Sequence, residues 1–365
     1  MPPAKHASEH THSKRPKSHH GRRVRFAVLM LILPVALTAV VVISTGMGYI
    51  HMPFTDVVKI IISTLSGQDA MLSGMDRLLP VVVIDVRLPR ILTAAAVGGG
   101  LAVSGAVFQA ILLNPLADPY TLGVSAGAAF GASLAILLNI GIIGSYSVPV
   151  FAFVGGICTL FVVIYLSSTG NGLSSNNLIL SGIIVAAILS AGISFLKYVA
   201  DEQVSIIIFW LMGSFASRTW ADVSIVVSVV CAGLLVSLFF ARDLNVMALG
   251  RRTASSLGVE SQRATMMLLI TASMIAAVSV SVSGIIGFVG LLVPHMMRAL
   301  TGPDNRRLIP VSLFAGAVLL LCADTVTRAV LPTEIPIGVI TALIGGPFFC
   351  YIFRKRQGKG FGQET

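Results

Sequence analysis

The sequence predicts an all-α membrane protein with about ten transmembrane helices. Composition is the first observation behind this prediction: of 365 residues, 55% are hydrophobic and only 11% are charged, and the mean hydropathy is +0.92. Soluble domains carry about 25% charged residues. A chain this apolar avoids water by spanning a bilayer, where each helix satisfies its own backbone hydrogen bonds. The lipid bilayer is therefore an expected partner.

Apolar runs that recur at near-regular spacing are the second observation. Two shorter segments, 54–65 and 204–215, are too brief to span and are expected to lie at the outer surface. A faint likeness between 102–107 and 280–285, which would run in opposite directions, leaves open two inverted five-helix halves. The runs of spanning length cover 26–47, 91–113, 121–140, 148–168, 178–198, 221–241, 264–282, 285–301, 309–330 and 336–353.

The distribution of charge is the third observation, and it predicts the orientation. There are 25 Lys and Arg against 15 Asp and Glu, a net charge of +10. Much of the excess of Lys and Arg flanks the apolar runs at the two chain ends. The sequence therefore predicts a multi-pass protein of the inner (plasma) membrane with both termini in the cytoplasm. In a soluble protein this charge would suggest nucleic acid; here no nucleic-acid partner is expected.

The chain divides into three predicted regions. Residues 1–25 form a disordered, basic, His-rich cytoplasmic tail, 26–355 a transmembrane domain, and 356–365 a cytoplasmic C-terminal tail. The tail histidines lack fixed ligand spacing, which favours a solvated tail over a metal site. The cysteines are far apart, without a C-x-x-C pair, which argues against disulfides and zinc. The tail histidines are His6, His10, His12, His19 and His20. The cysteines are Cys158, Cys231, Cys322 and Cys350.

Catalytic motifs are missing from the sequence. It contains no G-x-x-x-x-G-K-[ST] phosphate loop, no H-E-x-x-H and no G-x-S-x-G elbow. The chain is therefore expected to be no enzyme and to bind no cofactor. If ATP drives its activity, the ATP is bound and hydrolysed on a partner subunit.

A series of motifs does occur, in order, along the chain. They are RLPR at 87–90, NPLADP at 114–119, WLMGS at 210–214, NVMALG at 245–250, GFVGLLVPH at 287–295, and the segment 331–338 that ends in PIG. Together they resemble the FecCD-like family, the type II ABC importer permeases for iron(III)-siderophores, haem and cobalamin. The resemblance covers about 26–355. One such motif would be weak, but the ordered set is specific.

The resemblance implies a docking surface made of Arg87, Arg90 and Arg328. In the family, arginines at these motifs face outward and meet carboxylates of a periplasmic or lipid-anchored binding protein, for which a guanidinium fork is well suited. The residues themselves allow other interpretations. Arg87 and Arg90 could be snorkelling residues at a helix end, and Arg328 could pair internally with Asp324, four positions earlier.

The resemblance also implies a cytoplasmic gate. Asn114 and Leu116 lie beside two helix-breaking prolines and match the inner gate, and Ser174 and Ser175 match a second gating element. Simple turns are the alternative for both segments.

The longest cytoplasmic connector matches a pair of short coupling helices that dock in a groove of the ATPase. Leu249, Gly250, Leu257 and Gly258 would shape that contact. A segment lying on anionic lipid is the alternative. His295, which follows a proline within an apolar run, is interpreted as a packed histidine.

The expected assembly is a homodimer or heterodimer of permease chains with ABC ATPase subunits and a binding protein. Iron(III)-siderophore complexes are the expected substrate, with haem or cobalamin as alternatives that composition cannot separate. An ion-coupled secondary transporter is the rival of another class. It is disfavoured because the predicted spans contain almost no acidic residues apart from Asp324.

Overall fold

The computed structural model describes residues 18–48, 52–67, 75–76, 78–169, 172–329 and 334–360. The predicted tail histidines His6, His10 and His12 lie outside these residues. One two-residue antiparallel pair, β1 (Ser168–Thr169) with β2 (Gly172–Leu173), accompanies the helices. The α-helices are α1 (Ser18–Gly46), α2 (Phe54–Ser66), α3 (Leu78–Val81), α4 (Leu88–Ile111), α5 (Val124–Leu137), α6 (Ser147–Ser167), α7 (Ser175–Val199), α8 (Val204–Met212), α9 (Trp220–Phe239), α10 (Ala241–Met247), α11 (Arg251–Ser256), α12 (Ser261–Ser283), α13 (Val289–Thr301), α14 (Asn305–Ala329) and α15 (Ile337–Gly360).

Each of the ten predicted spans falls on one of these helices, which confirms the predicted fold class. In the described residues, seven helical stretches are long and apolar enough to cross a membrane. Shorter helices account for the other predicted spans, namely α5, α13 and the apolar part of α15. The two segments judged too brief to span are the short helices α2 and α8.

The second span begins earlier than predicted. Leu78–Ile111 is one continuous helical stretch of 34 residues, and a π-helical turn over Val82–Arg87 joins α3 to α4. Pro89 lacks a backbone N–H, so a regular α-helix would lose a hydrogen bond here. The wider turn adapts to it, with the Leu88 N–H donating to the Val83 carbonyl. A proline that sequence rules treat as a helix start is thus accommodated inside a helix.

The two predicted tails also differ from the helix boundaries. α1 begins at Ser18, inside the region predicted as a disordered tail, and α15 continues to Gly360. Arginine is a good helix former, so the basic residues before the first span extend its helix instead of ending it.

The centre of the bundle is α4, which is buried along almost its whole length. Its glycines permit backbone contact with two neighbours. A Cβ at Gly98 would meet the Gly316 carbonyl of α14, and one at Gly105 would overlap the backbone of Gly290 in α13. Lipid is as apolar as a leucine side chain, so close packing of small residues is what holds such helices together.

Helices α4 and α14 run antiparallel, and their contacts define two ends of the bundle. Arg90 pairs with Asp324, whereas Gly98, further along α4, contacts Gly316, which lies earlier in α14. We call the end with Arg90 and Asp324 the arginine end. The opposite end, where α4 finishes at Ile111 and α14 starts at Asn305, is the loop end.

Two helices of the bundle are short because irregular backbone precedes them. Residues 112–123, the first leader, connect α4 to α5, and 284–288, the second leader, connect α12 to α13. Among the ten predicted spans, α5 is the third and α13 the eighth, and the two run in opposite directions. Interrupted helices at corresponding positions are typical of inverted repeats, which supports two inverted five-helix halves.

Replacement of Gly105 by alanine tests the close approach of α4 to α13. Its methyl group would overlap backbone atoms of Gly290, which cannot rotate away as a side chain can. We expect Gly105→Ala to lower stability by about 1–3 kcal/mol or more. The matched control is Gly346→Ala in α15, where a Cβ meets nothing within 4 Å. Thermal melting in detergent compares the two, and equal midpoints would refute the packing argument.

Candidate functional site

The first leader begins with a tight turn at the loop end. Leu113 has a φ of 49°, and the Asn114 N–H donates to the Gln109 carbonyl at 3.2 Å. The Asn114 Oδ1 accepts the Leu116 N–H at 3.0 Å. This side-chain turn fixes the backbone and leaves Leu116 39% exposed. The two predicted gate residues therefore form one local unit.

The predicted second gating element lies beside the first. Ser174 precedes α7, and its carbonyl accepts the Leu178 N–H at 2.9 Å. The Ser175 hydroxyl donates to the carbonyl of Ile111, the last residue of α4, at 3.4 Å. The structure thus brings together segments about sixty residues apart in the chain. Whether they act as a gate stays a prediction.

The first leader then turns back into the bundle. The Asp118 Oδ1 accepts the Tyr120 N–H at 2.9 Å, and the Thr121 hydroxyl accepts the Asp118 N–H at 3.0 Å. Pro119 lies so deep that a Cβ on Gly290 would meet its ring. Irregular backbone at this depth is tolerated where it packs on protein or lines a path.

The polar residues that hold this leader were not predicted from the sequence. The Arg298 Nη1 donates to the Gln109 Oε1 at 2.7 Å, and the Gln109 Nε2 donates to the Leu291 carbonyl at 3.2 Å. The Tyr120 hydroxyl donates to the Ile286 carbonyl at 2.8 Å. A glutamine and an arginine within apolar spans are a signal that could have found the first pair. His295, which the sequence analysis interprets as a packed histidine, is partly buried.

The predicted coupling segment consists of α10 and α11, each ended by glycine turns. Gly250 has a φ of 103° and Gly258 a φ of 80°, values that other residues rarely adopt. Leu249 is 66% exposed and Leu257 is 62% exposed. An open cavity of about 880 Å³ adjoins the segment and is lined in part by Gly258, Glu260, Arg263 and Met267. The segment presents apolar side chains beside a cavity at the loop end.

One amide ties the coupling segment to the bundle. The Asn245 Nδ2 in α10 donates to the Asp304 Oδ1 at 2.7 Å. The Asn245 Oδ1 accepts the Asn305 N–H at 2.9 Å and the Asn305 Nδ2 at 3.0 Å. Because Asp304 and Asn305 follow α13 and begin α14, a movement of α10 reaches both helices.

Arg87 and Arg328 bind the end of α1. The Arg87 Nη1 donates to the Thr45 carbonyl at 2.6 Å, the Arg328 Nη1 donates to the Met47 carbonyl at 2.8 Å, and the Arg328 Nη2 donates to the carbonyl and hydroxyl of Ser44. Carbonyls at the C-terminus of a helix lack helical partners and carry partial negative charge. The two guanidinium groups supply the missing donors.

The Arg90 guanidinium pairs with two carboxylates. Its Nη2 lies 2.8 Å from the Asp324 Oδ1 and also pairs with Glu334, and its Nε donates to both Asp324 oxygens at 3.2 Å. Asp324 also lies 3.5 Å from the Arg328 Nε. The Asp324 side chain is 1% exposed, whereas that of Glu334 is 45% exposed. We call Arg87, Arg90, Arg328, Asp324 and Glu334 the arginine cluster.

The internal pair of Arg328 with Asp324 that the spacing allowed is therefore present. All three predicted docking arginines have partners within the chain, and Arg87 is 6% exposed. Docking of a binding protein stays a prediction. Of the two carboxylates on Arg90, Glu334 is the one that water and a partner can reach.

Known proteins share this architecture. A solved metal-chelate type ABC transporter in an inward-facing conformation has a TM-score of 0.78 at 34% identity, over 90% of this chain and 99% of that one. The cobalamin import permease of Halobacterium salinarum is 44% identical over 78% of this chain and 76% of its own. The iron(III) dicitrate permease FecD of Escherichia coli is 35% identical over 90% and 99%.

The fold and its relatives define the class of this protein as a multi-pass permease subunit of an ABC importer. The chain belongs to the FecCD transport family, whose model matches residues 36–355. The relatives carry different substrates, so membership in the family leaves the substrate open.

Proposed function

We propose that this chain forms, with a second permease chain, a path that carries iron(III)-siderophore complexes from a binding protein to the cytoplasm. ATP hydrolysis takes place on separate ATPase subunits, and this chain is not the catalyst. The observation that carries the proposal is the first leader, whose irregular backbone enters the bundle beside Gly290. Such backbone is a candidate gate because it can rearrange without breaking a spanning helix.

Charge orients the chain in the membrane. Basic residues are concentrated at the loop end, which we therefore place in the cytoplasm of the inner (plasma) membrane, together with both termini. The three arginines of the arginine cluster are balanced by carboxylates and helix-end carbonyls, so they do not oppose this orientation. The loop-end residues include Arg22, Arg23, Arg25, Arg242, Arg263, Arg306 and Arg307.

Movement starts at the coupling segment in this proposal. When the ATPases close on ATP, they shift α10 and α11 through Leu249 and Leu257, the exposed leucines that follow these helices. The permease dimer then alternates between outward-open and inward-open forms.

An ion-coupled secondary transporter fits the structure poorly. Such a protein needs a carboxylate that is available to an ion near the centre of its spans. Asp324 is bound on both sides, by Arg90 and by Arg328. Its charge is already paired with two arginines of the same chain and is not available to an ion.

Docking of the binding protein involves an exchange at Arg90. A carboxylate from the partner can reach the exposed side of the guanidinium only by replacing Glu334, while Asp324 holds the buried side. Arg87 and Arg328 contribute positive potential behind this position. Glu334 thus competes with the partner.

Neutralisation of Glu334 tests this docking proposal. Glu334→Gln keeps the shape and removes the competing charge, so affinity for the binding protein should rise by about 1.4-fold to fivefold, the value of an exposed ion pair of about 0.2–1 kcal/mol. The control is Glu202→Gln, an exposed carboxylate outside the arginine cluster. Equilibrium titration in nanodiscs measures both. Unchanged or weaker binding of Glu334→Gln would contradict the exchange.

An exposed leucine tests the coupling segment better than Gly258, where any side chain would strain the left-handed backbone. Leu257→Ser should weaken ATPase association by more than about 1 kcal/mol, as for a central interface residue. Leu138→Ser, with a side chain 60% exposed at the end of α5, is the matched control. Co-purification and binding titration measure the effect. Equal association of both variants would remove Leu257 from the contact.

Uptake of labelled chelates tests the substrate. In cells without this chain, uptake of ⁵⁵Fe-loaded siderophores should fall to background and return on complementation, while uptake of ⁵⁷Co-cobalamin stays unchanged. Cobalamin is the second candidate because a relative 44% identical is a cobalamin permease. Loss of cobalamin uptake alone would assign that substrate instead, and a defect in haem uptake alone would assign haem.

A further inference from the structure

The first leader is held at its start by α13. The Gln109 side chain is 3% exposed and is bound on both sides by α13, to Arg298 at 2.7 Å and to the Leu291 carbonyl at 3.2 Å. The backbone carbonyl of the same glutamine accepts the Asn114 N–H. The position of Asn114 is therefore set by a residue that α13 holds.

The far end of the first leader is held by the second leader and the start of α13. The Tyr120 hydroxyl donates to the Ile286 carbonyl at 2.8 Å and accepts the Ile286 N–H at 3.3 Å. Both backbone groups of Ile286 lie outside any helix, so this one hydroxyl satisfies a donor and an acceptor that would otherwise be unpaired. Pro119 packs against Gly290 one turn further along.

The segment that follows the C-terminus of α13 is bonded to the coupling segment. Three residues after α13 ends at Thr301, Asp304 accepts a hydrogen bond from Asn245 of α10, and Asn305 donates two to the same side chain. Helix α13 has 13 residues and contains Pro294, which removes one backbone hydrogen bond between the start of the helix and its last turns. Its last turn carries Arg298, which bonds Gln109, and Asp304 and Asn305 just beyond it bond the coupling segment.

We propose that α13 is the element that transmits movement of the coupling segment to the gate, and that Gln109, Arg298 and Tyr120 are positioning residues of that gate. The proposal deepens the proposed function and rests on it, since it takes the first leader to be the gate. A shift of α10 pulls Asp304, the loop-end part of α13 swings about Pro294 while Gly290 stays against α4, and the bonds that hold Gln109 and Tyr120 break or re-form. Polar contacts suit this task because they have discrete bonded and broken states.

The experiment uses the full importer complex in nanodiscs, with a cysteine at Leu116 as the reporter. The native cysteines, of which Cys158, Cys231 and Cys350 are exposed, are first replaced by serine. The rate of thiol labelling is measured without nucleotide and with ATP plus vanadate. Tyr120→Phe removes one hydroxyl, and Gln109→Leu removes both side-chain bonds. Gln109→Glu keeps the contact with Arg298 but loses the donor to the Leu291 carbonyl, and Tyr198→Phe, at a tyrosine 85% exposed, is the matched control.

We expect the nucleotide-dependent change in labelling to shrink by about fivefold or more in Tyr120→Phe and Gln109→Leu, the size of a typical coupling between sites. Gln109→Glu and Tyr198→Phe should keep the full change, and all variants should retain the ATPase, since the coupling surface is untouched. A full change in both Tyr120→Phe and Gln109→Leu would overturn the role of α13. If Tyr120→Phe does not assemble, the comparison of Gln109→Leu with Gln109→Glu decides alone. No nucleotide-dependent change with the native α13 contacts would instead refute the gate assignment, and the inference would fall with it.

Discussion

The structure depends on the close approach of α4 to its neighbours. Backbone meets backbone at Gly98 with Gly316 and at Gly105 with Gly290. In lipid this packing replaces the hydrophobic effect as the main source of helix association. Because α4 touches α13 and α14 so closely, both helices are held against α4 near the centre, and changes in shape are confined to the leaders and to the part of α13 beyond Pro294. The first leader follows α4 and packs against Gly290 of α13, and the second leader immediately precedes α13.

The ends of the bundle are held by polar groups used in different ways. At the arginine end, charges balance one another: Asp324 lies between Arg90 and Arg328, and the end of α1 supplies carbonyls to Arg87 and Arg328. Removal of one partner from such a buried set leaves an uncompensated charge, which makes the cluster rigid. At the loop end, each bond that connects the coupling segment, α13 and the first leader has at least one neutral partner, since Arg298 bonds Gln109 and Asp304 bonds Asn245. Neutral hydrogen bonds exchange at lower cost, which suits the end that must move.

Much of this fold could be predicted from the sequence, because hydropathy reports directly on burial in lipid. Each predicted span lies on a helix, and α10 and α11 appear where a pair of short helices was expected. The start of the second span could not be predicted, since the π-turn that accommodates Pro89 is a tertiary compromise that no local rule signals. The partners of Arg90 were equally out of reach, because Asp324 lies 234 positions away and only the packing of α4 on α14 brings it near.

The same limit applies to the candidate site. The gate residues Asn114 and Leu116 stand out because prolines flank them, a local signal. Gln109 and Arg298 give no local signal of their partnership, which arises from two helices placed side by side. The family resemblance predicts where the gate and coupling loops lie in the chain. The contacts of Gln109 and Tyr120 that hold the first leader are shown only by the structure.

Amide hydrogen exchange in nanodiscs, compared between the nucleotide-free and the vanadate-trapped importer, tests the central claim that α4 is a fixed core around which the leaders move. The account predicts that amides of 93–109 in α4 stay protected in both states, whereas those of 112–123 and 284–288 change with nucleotide. Equal protection of both leaders in the two states, or a change in α4 as large as theirs, would contradict it.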